Sequence, residues 1–344
     1  MALSLLDMSF DEITSAVVAA GHPRYRADQI ADWVYRKSIT DPARMSNLPR
    51  TLTGGFDILT SQVAKRRTSK DGTTKLLLTL ADGSHVETVL IPDRRRKTAC
   101  LSTQVGCAMG CTFCASGLGG LRRNCTCGEI LQQILHLQHA CGTKVTNVVF
   151  MGMGEPLANF NQTVKALRAL TDPKLFGISA RKITVSTIGI PDKIRRLAKL
   201  REPFTLAISL HAPNDQLRAK LIPMASSVPI RRIISAARQF YESRHREITL
   251  EYLLLGGIND DPGYADQLAE ISDSLRCNVN LIPYNPVPEL PYDRPTDLAI
   301  ESFAERLSKR GVNANIRRPR GQDVAAACGQ LTRQSRRDDL SDQP

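Results

Sequence analysis

The sequence predicts an α/β fold: a partial (βα)6, TIM-like barrel with a small helical N-terminal domain and a β-hairpin extension. Three observations predict it. From Thr98 onward, β-rich runs alternate with helical patterns, with no long linker or low-complexity segment between them. Residues 62–92 change period, and within them Thr74–Pro92 reads as strands broken by an Asp-Gly turn. Residues 1–60 read as helices alone.

In the N-terminal part, helices are expected over Phe10–Ala20 and Arg26–Lys37. Ile30, Trp33 and Val34 share one face at helical spacing, flanked by Arg24, Arg26 and Arg36 as a basic rim. The hairpin runs Thr74–Leu80, turns at Asp82-Gly83 and returns over His85–Pro92. Arg94-Arg95-Arg96-Lys97 follows, either a solvated linker or a contact for nucleic-acid phosphates. Barrel strands are expected at Ala99–Thr103, Thr146–Met151, Lys182–Ser186, Thr205–Leu210, Thr249–Leu255, Asn278–Pro283 and Asn313–Arg317. Helices fall near 128–140, 160–171, 191–200, 229–243, 263–275 and 297–310. In such a barrel the active loops lie at the strand C-terminal ends. The expected division is 1–60, 61–97, 98–331 and a polar tail 332–344, with Gln334–Pro344 expected to be disordered.

The 344 residues carry 46 Lys+Arg against 34 Asp+Glu, a formal charge of +12 and a pI near 9.4. That excess favours a polyanionic partner, nucleic acid first. With 42% hydrophobic and 23% charged residues the chain has an ordinary globular core. Met1–Phe10 is apolar but broken by Asp7, and it has neither a basic start nor a cleavage site. No run approaches the ~18 apolar residues of a membrane span. A cytoplasmic protein is expected, and nine clustered cysteines suit a reducing compartment with metal or catalytic thiols.

Three of those cysteines, Cys107, Cys111 and Cys114, form a C-x3-C-x2-C turn too tight for stapling disulfides. Thiolates suit zinc or iron–sulfur clusters. A zinc site normally takes four protein ligands, or three plus a reactive water, and an ordinary electron-transfer [4Fe–4S] cluster takes four cysteines. Three cysteines on a four-iron cluster leave one iron open. The spacing resembles that of the radical S-adenosylmethionine (SAM) superfamily, in which the open iron chelates SAM. Further motifs also follow predicted strands. Met151-Gly-Met-Gly154-Glu155-Pro156 lacks the third glycine of a dinucleotide fingerprint; its carbonyls and carboxylate suit an ammonium group. Ser186-Thr-Ile-Gly189 and Ser209-Leu210-His211 offer hydroxyls for a ribose or carboxylate. Asn285, in Ile282-Pro-Tyr-Asn-Pro286, places an amide where adenine could be met.

The runs Cys100-Leu-Ser-Thr-Gln-Val-Gly-Cys107, Met151–Pro156, Ala207-Ile-Ser-Leu-His-Ala-Pro-Asn214 and Ala325-Ala-Ala-Cys-Gly-Gln-Leu331 make the resemblance specific. They look like the RlmN family of dual-specificity rRNA/tRNA adenine-carbon-2 methyltransferases, from about Gly21 to Leu331. Cfr-type carbon-8 methyltransferases share most of these motifs. The resemblance implies one [4Fe–4S] cluster on Cys107, Cys111 and Cys114, and two SAM per turnover. It implies SAM contacts from Gly154, Glu155, Ser186, Ser209, Leu210, His211 and Asn285. One SAM would methylate Cys328. The second would yield a 5′-deoxyadenosyl radical that takes a hydrogen from that methyl group, and the resulting methylene would add to the adenine. Cys100 would then release the product, leaving a Cys100–Cys328 disulfide, with Glu87 as proton acceptor. The implied substrates are 23S rRNA, at the peptidyl-transferase centre, and adenosine 37 of tRNA. An external electron donor such as flavodoxin and a monomeric state complete the expectation.

An aromatic C–H carbon of adenine has no lone pair with which to attack SAM, so a radical route has a chemical reason. Two cysteines far apart in sequence also suit a transient disulfide in a reducing cell. Two other readings compete. A zinc nucleobase deaminase would use His85-Val-Glu87 with Cys111-Thr-Phe-Cys114, but Gly110 replaces the proline and Cys107 stays unexplained. A non-catalytic RNA-binding protein with a structural metal explains charge and thiols, but not the Gly-Glu-Pro, Ser-Leu-His and Cys328 motifs together. Cys125 and Cys127 depart from the family pattern; Cys141 and Cys277 read as core or surface thiols. Charge clustering nominates Arg94, Arg95, Arg96, Arg122, Arg123, Arg317, Arg318 and Arg320 for RNA phosphates.

Overall fold

The computed structural model describes residues 3–332, so the polar tail, apart from Thr332, lies outside the described residues. Helix α1 (Phe10–Ala19) starts on a capping box. The Ser9 hydroxyl accepts the Glu12 N–H at 3.3 Å, and the Ser9 N–H donates to Glu12 Oε2 at 2.7 Å. It buries Ile13 and Val17 beside α2 (Tyr25–Ala31), which buries Ala27 and Ile30. A π-turn extends α2 to Arg36 and puts Val34 and Tyr35 into the core. This module docks through Tyr35, edge-on to Phe176 at 5.0 Å, and Asp7, which accepts the Gly128 N–H at 2.7 Å.

A single ten-stranded sheet follows, its strand order identical to chain order. Strands β1 (Gln62–Thr68), β2 (Thr74–Thr79), β3 (His85–Asp93) and β4 (Arg96–Cys100) pair antiparallel. From β4 the pairing turns parallel through β5 (Asn147–Phe150), β6 (Ile183–Thr187), β7 (Thr205–Ser209), β8 (Ile248–Leu254), β9 (Cys277–Pro283) and β10 (Ala314–Ile316). The crossovers are α3 (Cys127–Cys141), α4 (Phe160–Thr171), α5 (Pro191–Ala198), the pair α6 (Asp215–Leu221) and α7 (Ile230–Arg244), α8 (Pro262–Asp273) and α9 (Asp297–Lys309). Strands covered on both faces read as apolar runs, and Leu206, Ala207 and Ile208 of β7 are fully buried. Among the described residues no helix is long and apolar enough to cross a membrane.

The hairpin is more than an appendage. Val89 of β3 registers with Cys100 of β4, so the hairpin continues the barrel sheet. Several elements were not expected from sequence, β1 and α6 among them. β1 is an edge strand with little buried surface, and α6 is a seven-residue helix capped by Asn214, whose Oδ1 accepts the Leu217 N–H.

The sheet stays open, with β1 and β10 as its edges. The chain after β10 crosses the opening and fastens to the β1–β2 turn. The Gly321 N–H donates to Asp71 Oδ2 at 3.1 Å, the Lys70 N–H to Asp323 Oδ2 at 3.2 Å, and Lys75 Nζ to the Ala325 carbonyl at 3.0 Å. Gly321 adopts φ +64°, and a Cβ there would lie 2.8 Å from both Thr73 and Ala326, so the strap needs glycine at this turn.

Candidate active site

Two adjoining cavities occupy the C-terminal ends of the strands and share Cys114, Met151, Arg317 and Cys328 in their walls. The larger, about 680 Å³, also holds Cys100 and Asn285. The other is lined by Cys107, Cys111, Gly154, Glu155, Ser186, Ser209 and His211. The fold thus gathers residues from most of the chain into one place.

The cysteine turn hangs from a ribbon of 104–106 against 121–124. Gly106 sits at φ +81°, and a Cβ there would lie 2.0 Å from the Gly120 carbonyl oxygen, so only glycine fits. Burial raises all three thiol pKa values, Cys107 to about 11. Backbone N–H groups oppose this: Met109 and Gly154 donate to Cys107, and Ser116 and Gly117 to Cys114. Donors aimed at sulfur suit thiolates bound to a cationic metal centre, whose charge reverses the effect of burial. The donor set therefore fits a cluster. Among the described residues, though, no three Cys, His, Asp or Glu side chains are already grouped to hold a metal ion.

Glu155 is buried, and burial raises its pKa to about 7. Its carboxylate accepts the Leu157 N–H at 2.9 Å and the Ile188 N–H at 2.8 Å, while its own N–H donates to Gln104 Oε1 at 2.8 Å. A cation beside it would complete the site. Ser186 Oγ and Ser209 Oγ stand 3.4 Å apart on neighbouring strands. His211 Nδ1 accepts the Leu253 N–H at 3.0 Å, which puts the neutral ring's proton on Nε2. Burial, helped by Arg218, lowers its pKa to about 3, and its ring meets Phe113 edge-on at 5.1 Å.

Leu210 and Asn285 are placed differently from the other expected SAM contacts. Leu210 packs into the main core and its N–H donates to the Glu251 carbonyl at 3.0 Å. Asn285 Nδ2 donates to the Cys328 carbonyl at 3.3 Å and its Oδ1 accepts from Gln322 at 2.9 Å, so it holds the strap.

Cys100 ends β4 and Cys328 lies on the strap, yet both line the larger cavity as free thiols. Burial, with Cys328 second, pushes the Cys100 pKa up to about 12. The strap is tied to the cysteine turn: the Ala115 N–H donates to the Gly329 carbonyl at 2.8 Å and Ser116 Oγ to the Leu331 carbonyl at 2.7 Å. Glu87, on β3, pairs through Oε1 with Lys75 Nζ at 2.9 Å, and its Oε2 accepts the Thr332 N–H at 2.8 Å. Lys75, a lone cation in the apolar run Thr74–Leu80, was not singled out from sequence.

Two arginines nominated for RNA phosphates are otherwise engaged. Arg123 forks onto Asp82 at 2.8 Å and Glu129 at 2.7 Å. Arg317 turns into the walls of both cavities, its Nη1 donating to the Met151 sulfur at 3.8 Å. Arg96, Arg318 and Arg320 border the larger cavity and are exposed. Cys125 and Cys127 are buried away from both cavities.

Comparison with known proteins bears on this arrangement. The Radical SAM superfamily model matches residues 101–266, and the model of the ribosomal RNA large subunit methyltransferase N-terminal domain matches residues 3–55. A probable dual-specificity RNA methyltransferase RlmN from Thermosynechococcus vestitus is 46% identical, covering 95% of this chain and 97% of that protein. This chain belongs to the RlmN family. A second RlmN relative, from Geobacillus kaustophilus, is 43% identical over 98% of this chain and 94% of its own length. A crystal structure of a radical SAM methyltransferase from Sphaerobacter thermophilus superposes with a TM-score of 0.93 at 41% identity, covering 96% of this chain and all of that one. RlmN membership accounts for the joint presence of the N-terminal module and the radical SAM region.

Proposed function

We propose that this protein methylates carbon 2 of an adenosine in 23S rRNA and of adenosine 37 in tRNA, carrying the methyl group on Cys328. The observation that carries this reading is the meeting of Cys100 and Cys328, unbonded, in one cavity beside the cysteine turn. Cys107, Cys111 and Cys114 would hold the [4Fe–4S] cluster, and Glu155, Ser186, Ser209 and His211 would seat SAM. Once bound, and given an electron from an external donor such as flavodoxin, that pair would supply the hydrogen-abstracting radical chemistry.

Cys328 accepts a methyl group on Sγ and gives up its thiol proton. That methyl carbon becomes the one joined to the adenine. Glu87 accepts the proton lost from the adenine carbon, and for this its pair with Lys75 opens. The adduct's extra electron returns to the external carrier, and Cys100 Sγ, as thiolate, attacks Cys328 Sγ. The Cys328 Sγ–carbon bond breaks with its electron pair going to the former methyl carbon, which takes up a proton and stays on the base as its methyl group. The Cys100–Cys328 disulfide is reduced by an external thiol. The family membership supports carbon 2 over the Cfr-type carbon 8.

The test uses anaerobically reconstituted protein with reductant, methyl-labelled SAM and a 23S rRNA fragment or tRNA, read by nucleoside mass spectrometry. Labelled 2-methyladenosine from wild type and none from Cys328→Ala is the expected result. 8-Methyladenosine would overturn the carbon assignment, and SAM cleavage without any methyladenosine would overturn the substrate.

A further inference from the structure

Arg218 is among the largest fully buried side chains of the molecule, at 1% exposure. Burying a cation costs free energy unless its donors are filled. Nη2 donates to the Ile188 carbonyl, but Nε and Nη1 have no hydrogen-bond partner. The nearest carboxylate on its own helix, Asp215, accepts the Ile230 N–H at 2.7 Å through Oδ1. Neighbouring His211 is kept neutral by burial and offers no charge.

The helix that carries these free donors packs against the cysteine turn. Helix α6, which carries Arg218, is fastened to the cysteine turn: the Thr112 N–H donates to the Leu221 carbonyl at 3.0 Å. Leu221, Ile222 and Phe113 share one apolar cluster. Cys111 packs against that same cluster, as do Leu217, next to Arg218 in the chain, and Ile188. The guanidinium is also fixed from the other side. Ile188, whose carbonyl it holds, donates its N–H to Glu155 Oε2 at 2.8 Å.

We propose that Arg218 is the buried counter-cation of the iron–sulfur cluster, donating its free N–H groups to the Cys111 edge and thereby setting the cluster's reduction potential. The inference rests on the assignment of Cys107, Cys111 and Cys114 as cluster ligands. Reduction adds one negative charge to the cluster, and a fixed cation in a low-dielectric wall favours that form. Arg218 is a positioning and tuning residue; neither SAM nor RNA needs to touch it.

The experiment compares the full chain with Arg218→Met and Arg218→Lys, each reconstituted with iron and sulfide. Iron content and the EPR-monitored midpoint potential are measured without SAM. Arg218→Met is expected to lose iron or to shift the midpoint to more negative values, and Arg218→Lys to recover most of either change. An unchanged midpoint and iron content in Arg218→Met, with only an earlier thermal unfolding, would reduce Arg218 to a core residue and overturn the proposal. An unchanged midpoint with lost SAM affinity would place its anionic partner on SAM, and overturn it equally. If Arg218→Met does not fold, 15N-arginine labelling decides. A nitrogen coupling to the reduced cluster seen in wild type and absent from Arg218→Lys supports the contact; no such difference refutes it. A wild-type chain that takes up no iron fails before any variant is made, and that outcome overturns the cluster assignment itself.

Discussion

Lys75 sits where a strand pattern calls for an apolar side chain, and it is nearly as buried as its partner Glu87. Each charge is tolerated because the other is 2.9 Å away and because further groups, the Ala325 carbonyl and the Thr332 N–H, share the load. Removing one member of a buried pair strands the other. Lys75→Met is therefore expected to destabilise the fold by about 3–5 kcal/mol, and adding Glu87→Gln to restore part of it. Urea unfolding midpoints check this; a Lys75→Met loss below about 1 kcal/mol, the range of an exposed pair, would show that the pair is not coupled. The residue scale is also where sequence reading is weakest. The cysteine turn and Gly154-Glu155 were legible because their chemistry lies in adjacent residues. The proton-acceptor role of Glu87 came only through the family resemblance, and Lys75, Arg218 and the inward turn of Arg317 depend on burial, which no local pattern carries.

At the scale of elements, α3 is joined to the start of β1 by a small polar staple. Gln132 Oε1 accepts the N–H groups of Thr60 and Ser61, both at 2.9 Å, and His136 Nε2 meets Ser61 Oγ at 2.9 Å. Burial, with His139 second, lowers the His136 pKa from 6.5 to about 4. Between those values the unfolded chain binds the proton and the folded chain does not, so stability falls as pH falls through that window. The contribution is on the order of 3 kcal/mol. His136→Gln should flatten the decline in melting temperature between about pH 6.5 and pH 4, and parallel curves for variant and wild type would rule the staple out as a proton-sensitive joint. The parallel strands and long crossover helices were legible because burial on both faces writes continuous apolar runs. The edge strand β1 and the short α6 were not. β1 buries too little to impose a period, and α6 keeps only Arg218 and Leu221 buried, one of them a cation.

Across the whole molecule, the role proposed for Cys328 requires a large polyanion to enter the mouth between the open sheet and the strap. The larger cavity opens beside Arg96, Arg318 and Arg320, and Arg94 and Arg95 stand exposed on the adjoining β3–β4 turn. The net charge of +12 foretold a polyanion, but only the fold separates cations free to meet it from those already spent. Arg96 pairs with Asp93 at the exposed surface, where such pairs are weak. Arg123 is held by two carboxylates. Each RNA phosphate that the protein no longer neutralises flattens the dependence of log affinity on log salt by about 0.7–0.9. Charge reversal of Arg95, Arg318 and Arg320 together should therefore weaken RNA binding and reduce that slope by about 2. Arg123→Glu should instead lower the melting temperature while leaving the slope in place, because its cation serves α3 and the hairpin turn. Equal slopes for wild type and the triple variant would move the RNA entrance away from this mouth, and a slope change from Arg123→Glu would mean that its ion pairs open to let the RNA in.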